Sequence, residues 1–300
     1  MESPPTPAGD QRVPAAVPPA RVRVRWKRIL LPFVFLWIAL AGLLFVGGCA
    51  DDFILFPSTN PYAVEGQTRR IVECEGKDLE IWIWRSHAEG TEEPHAYVLE
   101  FIGNADRAEW AGRVPHWKGI AIPIEVWRVN YPGYGGSTGP AALDSIAPAA
   151  LAAFDDLARV AGSRPIFASG ISLGGTAALA VGAERDVAGV VLRNPPPLFE
   201  LILGAHGWWN LWLPALAVAC QIPAKLDSVE NAARSRSPAL FFMAEKDEVI
   251  PPEYQQKIQE AYAGEKRVVE MPGADHNEPL SPEAKAELHR WLEDRVRTQR

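Results

Sequence analysis

The chain has 300 residues, 48% of them hydrophobic and 22% charged, with a formal net charge of −7. That balance supplies a full hydrophobic core and excludes a disordered or fibrous protein. The acidic excess, with basic residues clustered only near the N-terminus, argues against nucleic acid as a partner.

Residues 1–20 are rich in proline and poor in core-forming side chains, so they are expected to be disordered. Arg21, Arg23, Arg25, Lys27 and Arg28 then supply five positive charges. Ile29 to Gly48 carry none of either sign, and twenty such residues, rising about 1.5 Å each, match a hydrocarbon core of about 30 Å. Residues 1–28 therefore read as a cytoplasmic segment and 29–48 as a membrane anchor. By the positive-inside rule, the remainder is expected on the extracytoplasmic side. Val46-Gly47-Gly48-Cys49 also fits a lipoprotein signal in which the apolar stretch is cleaved and Cys49 is lipidated. Both forms of anchor stay open, and both make the membrane a partner.

Downstream, Thr68–Glu75 and Leu79–Arg85 read as an antiparallel pair. The segments 96–102, 124–130, 165–170, 187–193, 239–244 and 267–271 read as strands, nearly continuous in apolar residues as a sheet covered on both faces requires. Helical patterns over 107–118, 143–161, 173–184, 252–262 and 282–297 alternate with them. This predicts a mostly parallel, doubly wound α/β sheet. The pattern breaks between Asn194 and Arg236, where a small cap of about 195–236 is expected.

Gly170-Ile171-Ser172-Leu173-Gly174 follows the apolar run at 165–168 and has the G-x-S-x-G form of a nucleophile elbow. A strand turning sharply into a helix leaves such a serine hydroxyl exposed at the strand's carboxyl end. Ser172 is thus the candidate nucleophile. Asp247 lies in the loop after the strand 239–244, and His276 in the loop after 267–271, which makes them the candidate orienting acid and base. Glu248 is the reserve choice for the acid.

With these motifs, the chain resembles the α/β-hydrolase superfamily, in the branch of Bem46-like and depalmitoylating α/β-hydrolase-domain enzymes. The resemblance spans about 53–298 and is carried by Phe101-Ile102-Gly103-Asn104-Ala105, by Asn130 to Ser137, by the elbow and by the Asp247 and His276 loops. Where the branch usually has histidine before the glycine, this chain has Ile102. The chain order Ser, Asp, His is that of α/β-hydrolases. The resemblance implies a serine hydrolase that acts on small-molecule or lipid-like acyl esters or thioesters without cofactor or metal. It also implies an oxyanion hole made by the main-chain N–H groups of Asn104 and Leu173. A peptidase or amidase of the same fold, or a silent scaffold, are the alternatives. In the expected cap, Trp208, Trp209 and Trp212 are candidates to line an acyl pocket, to dip into a membrane surface, or to pack the cap on the sheet.

Overall fold

The computed structural model describes residues 26–59, 67–87, 92–113, 116–208 and 212–299. The expected disordered segment lies outside them as far as residue 25, and so does Trp209.

Eight strands form one sheet: β1 (Thr68–Cys74), β2 (Lys77–Arg85), β3 (Ala96–Phe101), β4 (Ile124–Val129), β5 (Ile166–Ile171), β6 (Gly189–Arg193), β7 (Ala239–Ala244) and β8 (Lys266–Met271). Their spatial order is β1-β2-β4-β3-β5-β6-β7-β8, antiparallel at the β1–β2 and β2–β4 pairs and parallel elsewhere. The mostly parallel sheet expected from the alternation is present. Every residue of β3, β4 and β7 is buried, which is why these strands are nearly continuous in apolar residues apart from Glu100, Glu125 and Arg128. Leu99, Phe101, Val190, Leu192 and Phe241 face α3 (Leu143–Ala161), α4 (Leu173–Glu184), α7 (Ser228–Arg234) and α8 (Pro252–Ala261). Val98, Phe167, Leu240 and Phe242 face Trp117 and α9 (Pro282–Thr298) on the other side.

The helix expected over 107–118 is replaced by a short 3-10 turn, Ala108–Arg113. Side chains of β4 and of Asn130 just beyond it bond the main chain at the start of this turn. Arg128 donates to the carbonyls of Arg107 and Ala108, and Asn130 accepts the Ala108 N–H at 2.8 Å. Arg128 also sits opposite Glu100 in the β3–β4 register, and its Nε donates to Glu100 at 2.7 Å. His116 and Trp117 complete the shell at 2.8 and 2.6 Å. Burial alone would raise the Glu100 carboxyl, but the His116 and Arg128 charges and the Trp117 N–H outweigh it and hold the group down at about 2.

A depressed carboxylate stabilises the fold above its unfolded pKa, so this contribution is complete above about 4.5 and is lost as pH falls through about 2. Glu100→Gln removes the nearer counter-ion of the buried Arg128 and leaves it with Asp106 Oδ2 at 3.5 Å. It is expected to cost about 3–5 kcal/mol at neutral pH. Thermal unfolding followed across this acid range checks both points: the variant starts lower and loses less between the two pH limits than the parent does. A variant as stable as the parent at neutral pH would contradict the assignment.

The cap region holds α5 (Leu198–His206), α6 (Leu213–Ala219), a 3-10 turn at Ala224–Leu226, and α7. Ahead of the sheet lie α1 (Trp26–Val46) and the short α2 (Ala50–Ile54). Just ahead of the expected start at residue 53, Ala50 is buried in the core and Asp51 accepts the Leu143 N–H at the start of α3.

Among the described residues, no helix is long and apolar enough to cross a membrane. The span expected over 29–48 therefore finds no support there. Within that stretch Trp37, Ala41 and Leu44 form the half-buried stripe, and α1 packs against α6. Leu31, Phe33, Phe35, Leu36, Leu43 and Val46 are all more than half exposed.

Candidate active site

β5 ends at the elbow, and the crowding there explains its glycines. A Cβ on Gly170 would lie 2.1 Å from the Gly174 carbonyl oxygen, and one on Gly174 would lie 2.2 Å from that of Phe101. Only glycine allows strand, helix and the neighbouring β3 to meet this closely. Ser172 itself adopts φ 52° and ψ −124°, a backbone conformation costing of order 1–3 kcal/mol and persisting where its surroundings over-determine it. Its N–H donates to the Arg193 carbonyl at 2.9 Å and its carbonyl accepts the Gly175 N–H at 2.7 Å. The turn is thereby pinned to β6 on one side and α4 on the other.

The structure brings Ser172, His276 and Asp247 into one line. His276 Nε2 lies 2.9 Å from Ser172 Oγ, and Nδ1 lies 2.7 Å from Asp247 Oδ2. Asp247 is buried and its acceptors are filled: Oδ1 takes the N–H groups of Val249 and Ile250 at 2.9 and 2.7 Å, and Oδ2 also takes Gln255 Nε2 at 3.0 Å. The carboxylate is fixed in orientation by its own loop. Glu248 and Asp275 hold no such place; Asp275 Oδ1 accepts the N–H groups of Asn277 and Glu278 in its own turn.

Two positioning residues are not among the candidates named from the sequence. Gln255 reaches Asp247 from the first turns of α8, and nothing in its surroundings along the chain marks it. Asn194, fully buried with φ 47°, ends β6. Its Nδ2 donates to the His276 carbonyl at 3.0 Å and its Oδ1 accepts the Ala244 N–H at 3.0 Å, tying the His276 loop to β7. Asn before a proline run is a turn signal, and asparagine tolerates positive φ, so this residue had a usable sequence mark. Arg193, whose guanidinium pKa burial pushes down from its usual value, donates to the Glu278 carbonyl and holds the same loop from beyond His276.

The loop 102–105 lies beside the elbow: a Cβ on Gly103 would sit 3.8 Å from that of Ser172. Neither the Asn104 nor the Leu173 N–H donates to any acceptor among the described residues. Ile102, where the resembling branch has histidine, is a buried core residue whose carbonyl accepts the Tyr131 hydroxyl at 3.0 Å. Burial pushes the Tyr134 hydroxyl up to about 12, so it stays a donor, and it reaches Asn104 Oδ1 at 3.0 Å. The turn 131–137 thus supports the loop and presents no reacting group.

Two of the three cap tryptophans, Trp208 and Trp212, are among the described residues. Trp208 is 67% exposed and Trp212 is 52% exposed, and neither shares a hydrogen bond with the triad. Cys49 is half-buried at the start of α2, its Sγ donating to the Leu44 carbonyl. Cys74 is buried, Cys220 is exposed, and all three thiols are free.

No family model matches the chain. It is 27% identical to the uncharacterized protein Rv2307c of Mycobacterium tuberculosis over 251 residues, covering 81% of this chain and 85% of that one. It is also 27% identical to the human protein ABHD12B over 248 residues, covering 72% of this chain and 66% of that protein. Among solved structures, an acetyl xylan esterase from Paenibacillus sp. R4 superposes with a TM-score of 0.58 over 82% of this chain and 98% of its own, at 14% identity. The fold is that of the α/β-hydrolases. At such identity the likeness shows the fold alone, so the chemistry must be argued from the site.

Proposed function

We propose that this protein is a serine hydrolase that cleaves carboxylic esters or thioesters of hydrophobic acyl groups. The observation that carries the reading is the Ser172–His276–Asp247 line at 2.9 and 2.7 Å beneath a strained elbow. Ser172 Oγ attacks the acyl carbonyl while His276 Nε2 takes its proton; the tetrahedral oxyanion lies against the N–H groups of Asn104 and Leu173. Collapse returns that proton from His276 to the leaving alcohol or thiol and leaves an acyl-Ser172. Water, deprotonated by His276, then releases the acid. Asp247 keeps the imidazole in the tautomer with its proton on Nδ1 and stabilises the imidazolium formed in each half-reaction.

The hydrophobic acyl preference is supported by the exposed aromatic and aliphatic side chains of the cap, Phe199, Trp208, Trp212, Leu213 and Leu216. Membrane attachment belongs to the same proposal. Its support is the uncharged stretch 29–48 with its basic flank and the exposed apolar side chains of α1, which water solvates poorly. A panel of p-nitrophenyl esters of increasing acyl length tests the substrate class. We expect kcat/KM to rise from acetyl to longer chains and the full-length protein to stay with membranes in high salt. Activity confined to amides, or a flat profile, would overturn the acyl reading. Recovery of the full-length protein without detergent would overturn the attachment.

A further inference from the structure

The carboxamide of Asn104 is the junction between the loop beside the elbow and a distant stretch of chain. Its Oδ1 accepts the N–H of Phe56 at 2.9 Å, the Tyr134 hydroxyl at 3.0 Å and the N–H of Ala105 at 3.1 Å. Its Nδ2 donates to the Ile54 carbonyl at 2.5 Å. Two of these partners lie in the segment between α1 and β1, 48 and 50 positions away. With three donors already on the oxygen, and Ala105 held at φ 59°, the loop has a conformation that its surroundings impose.

That segment is itself tied down between Ala50 and Ser58. Gln221, just beyond α6, donates to the Leu44 carbonyl at 3.1 Å and accepts the Ala50 N–H at 3.0 Å. Asp51 Oδ1 accepts the Leu143 N–H at 2.8 Å, and the Ser58 carbonyl accepts the Gly135 N–H at 2.9 Å. Ala50 and Leu55 are buried between these points. A chain serving only as a tether would have no need of three attachments to the domain, at Ala50, Asp51 and Ser58.

We propose that the Asn104 side chain is a positioning group: by seating the loop 102–105 on residues 54–56, it aims Asn104's own main-chain N–H at the oxyanion. On this view the segment that follows α1 belongs to the apparatus holding the oxyanion donor. The inference rests on the serine-hydrolase reading above. A hydrogen-bond donor to an oxyanion earns its effect only when aimed at the place the charge develops, and loss of one donor typically costs about 10²–10³ in kcat. Loosening the loop should forfeit part of that, and in kcat, since the ground-state carbonyl uses the donor little.

The test uses the full-length protein and a short soluble ester. Phe56→Pro removes the one N–H that Asn104 Oδ1 receives from the segment, and residue 104 is untouched. Leu55, at φ −95° and ψ 133°, already has the backbone a residue before proline prefers. We expect kcat to fall about tenfold or more with KM within about twofold, and fluorophosphonate labelling to slow in parallel, because the phosphonyl oxygen occupies the same hole. Phe56→Ala keeps the N–H and should restore kcat to within about twofold. Asn104→Ala should lose at least as much as Phe56→Pro, and it decides the matter if the proline variant does not fold. Wild-type kcat in folded Asn104→Ala, or equal losses from Phe56→Ala and Phe56→Pro, would overturn the proposal. A parent protein that neither hydrolyses esters nor labels would instead bring down the hydrolase reading, an outcome visible before any variant is made.

Discussion

Replacing Ser172 by alanine should lower kcat for ester hydrolysis by roughly 10⁵- to 10⁶-fold, to the level left by the oxyanion hole and binding alone. The expectation follows from the geometry: Ser172 Oγ is the oxygen within 2.9 Å of His276 Nε2, and the elbow's strained turn holds it there. His276→Ala should cost a similar amount, since an unactivated hydroxyl is a poor nucleophile. Because the two act as one unit, the double variant should be hardly slower than either single one. Side-by-side steady-state rates with unfolding midpoints measure this. The alanine side chain removes no core packing at the half-buried Ser172, so the domain should remain folded. Wild-type turnover in Ser172→Ala would show that another group attacks.

Asp247→Asn should lower kcat by about 10³–10⁴-fold through the tautomer of His276. The local bonds say how. The Val249 and Ile250 N–H groups point at Oδ1 and would keep the carboxamide oxygen of an asparagine on that side. Its NH₂ would then face His276 Nδ1 and Gln255 Nε2, where Oδ2 now accepts both. A donor at that place favours the imidazole with its proton on Nε2, aimed at Ser172 and unable to accept from it. Asp275→Asn keeps the oxygen that caps its own turn and should change kcat little. A large loss from Asp275→Asn with a small one from Asp247→Asn would move the orienting role to Asp275.

The chain order of Ser172, Asp247 and His276 and the strand–helix alternation were readable because each depends on local pattern. An elbow needs small residues two before and two after its serine, and a doubly covered strand needs a run of apolar residues. What stayed hidden depends on register and on contacts across the fold. Glu100 and Arg128 meet because β3 and β4 pair in parallel with these two residues opposite each other, which the sequence of either strand does not state. Arg128, with Asn130, also bonds main-chain groups of the 3-10 turn that stands within the helix expected at 107–118. The attachment of residues 54–56 to Asn104 spans about fifty positions and is mediated by one carboxamide, so no periodicity reports it. Gln255 is hidden for the same reason, whereas Asn194 carried a turn signal ahead of its proline run.

The central claim is that Ser172 is a nucleophile activated by His276 and Asp247. Labelling the purified protein with a fluorophosphonate and mapping the adduct by peptide mass tests it most directly. The account predicts one phosphonyl group per chain, carried by Ser172 and absent from the Ser172→Ala and His276→Ala variants. An adduct on another residue, or no adduct on folded protein, would contradict it.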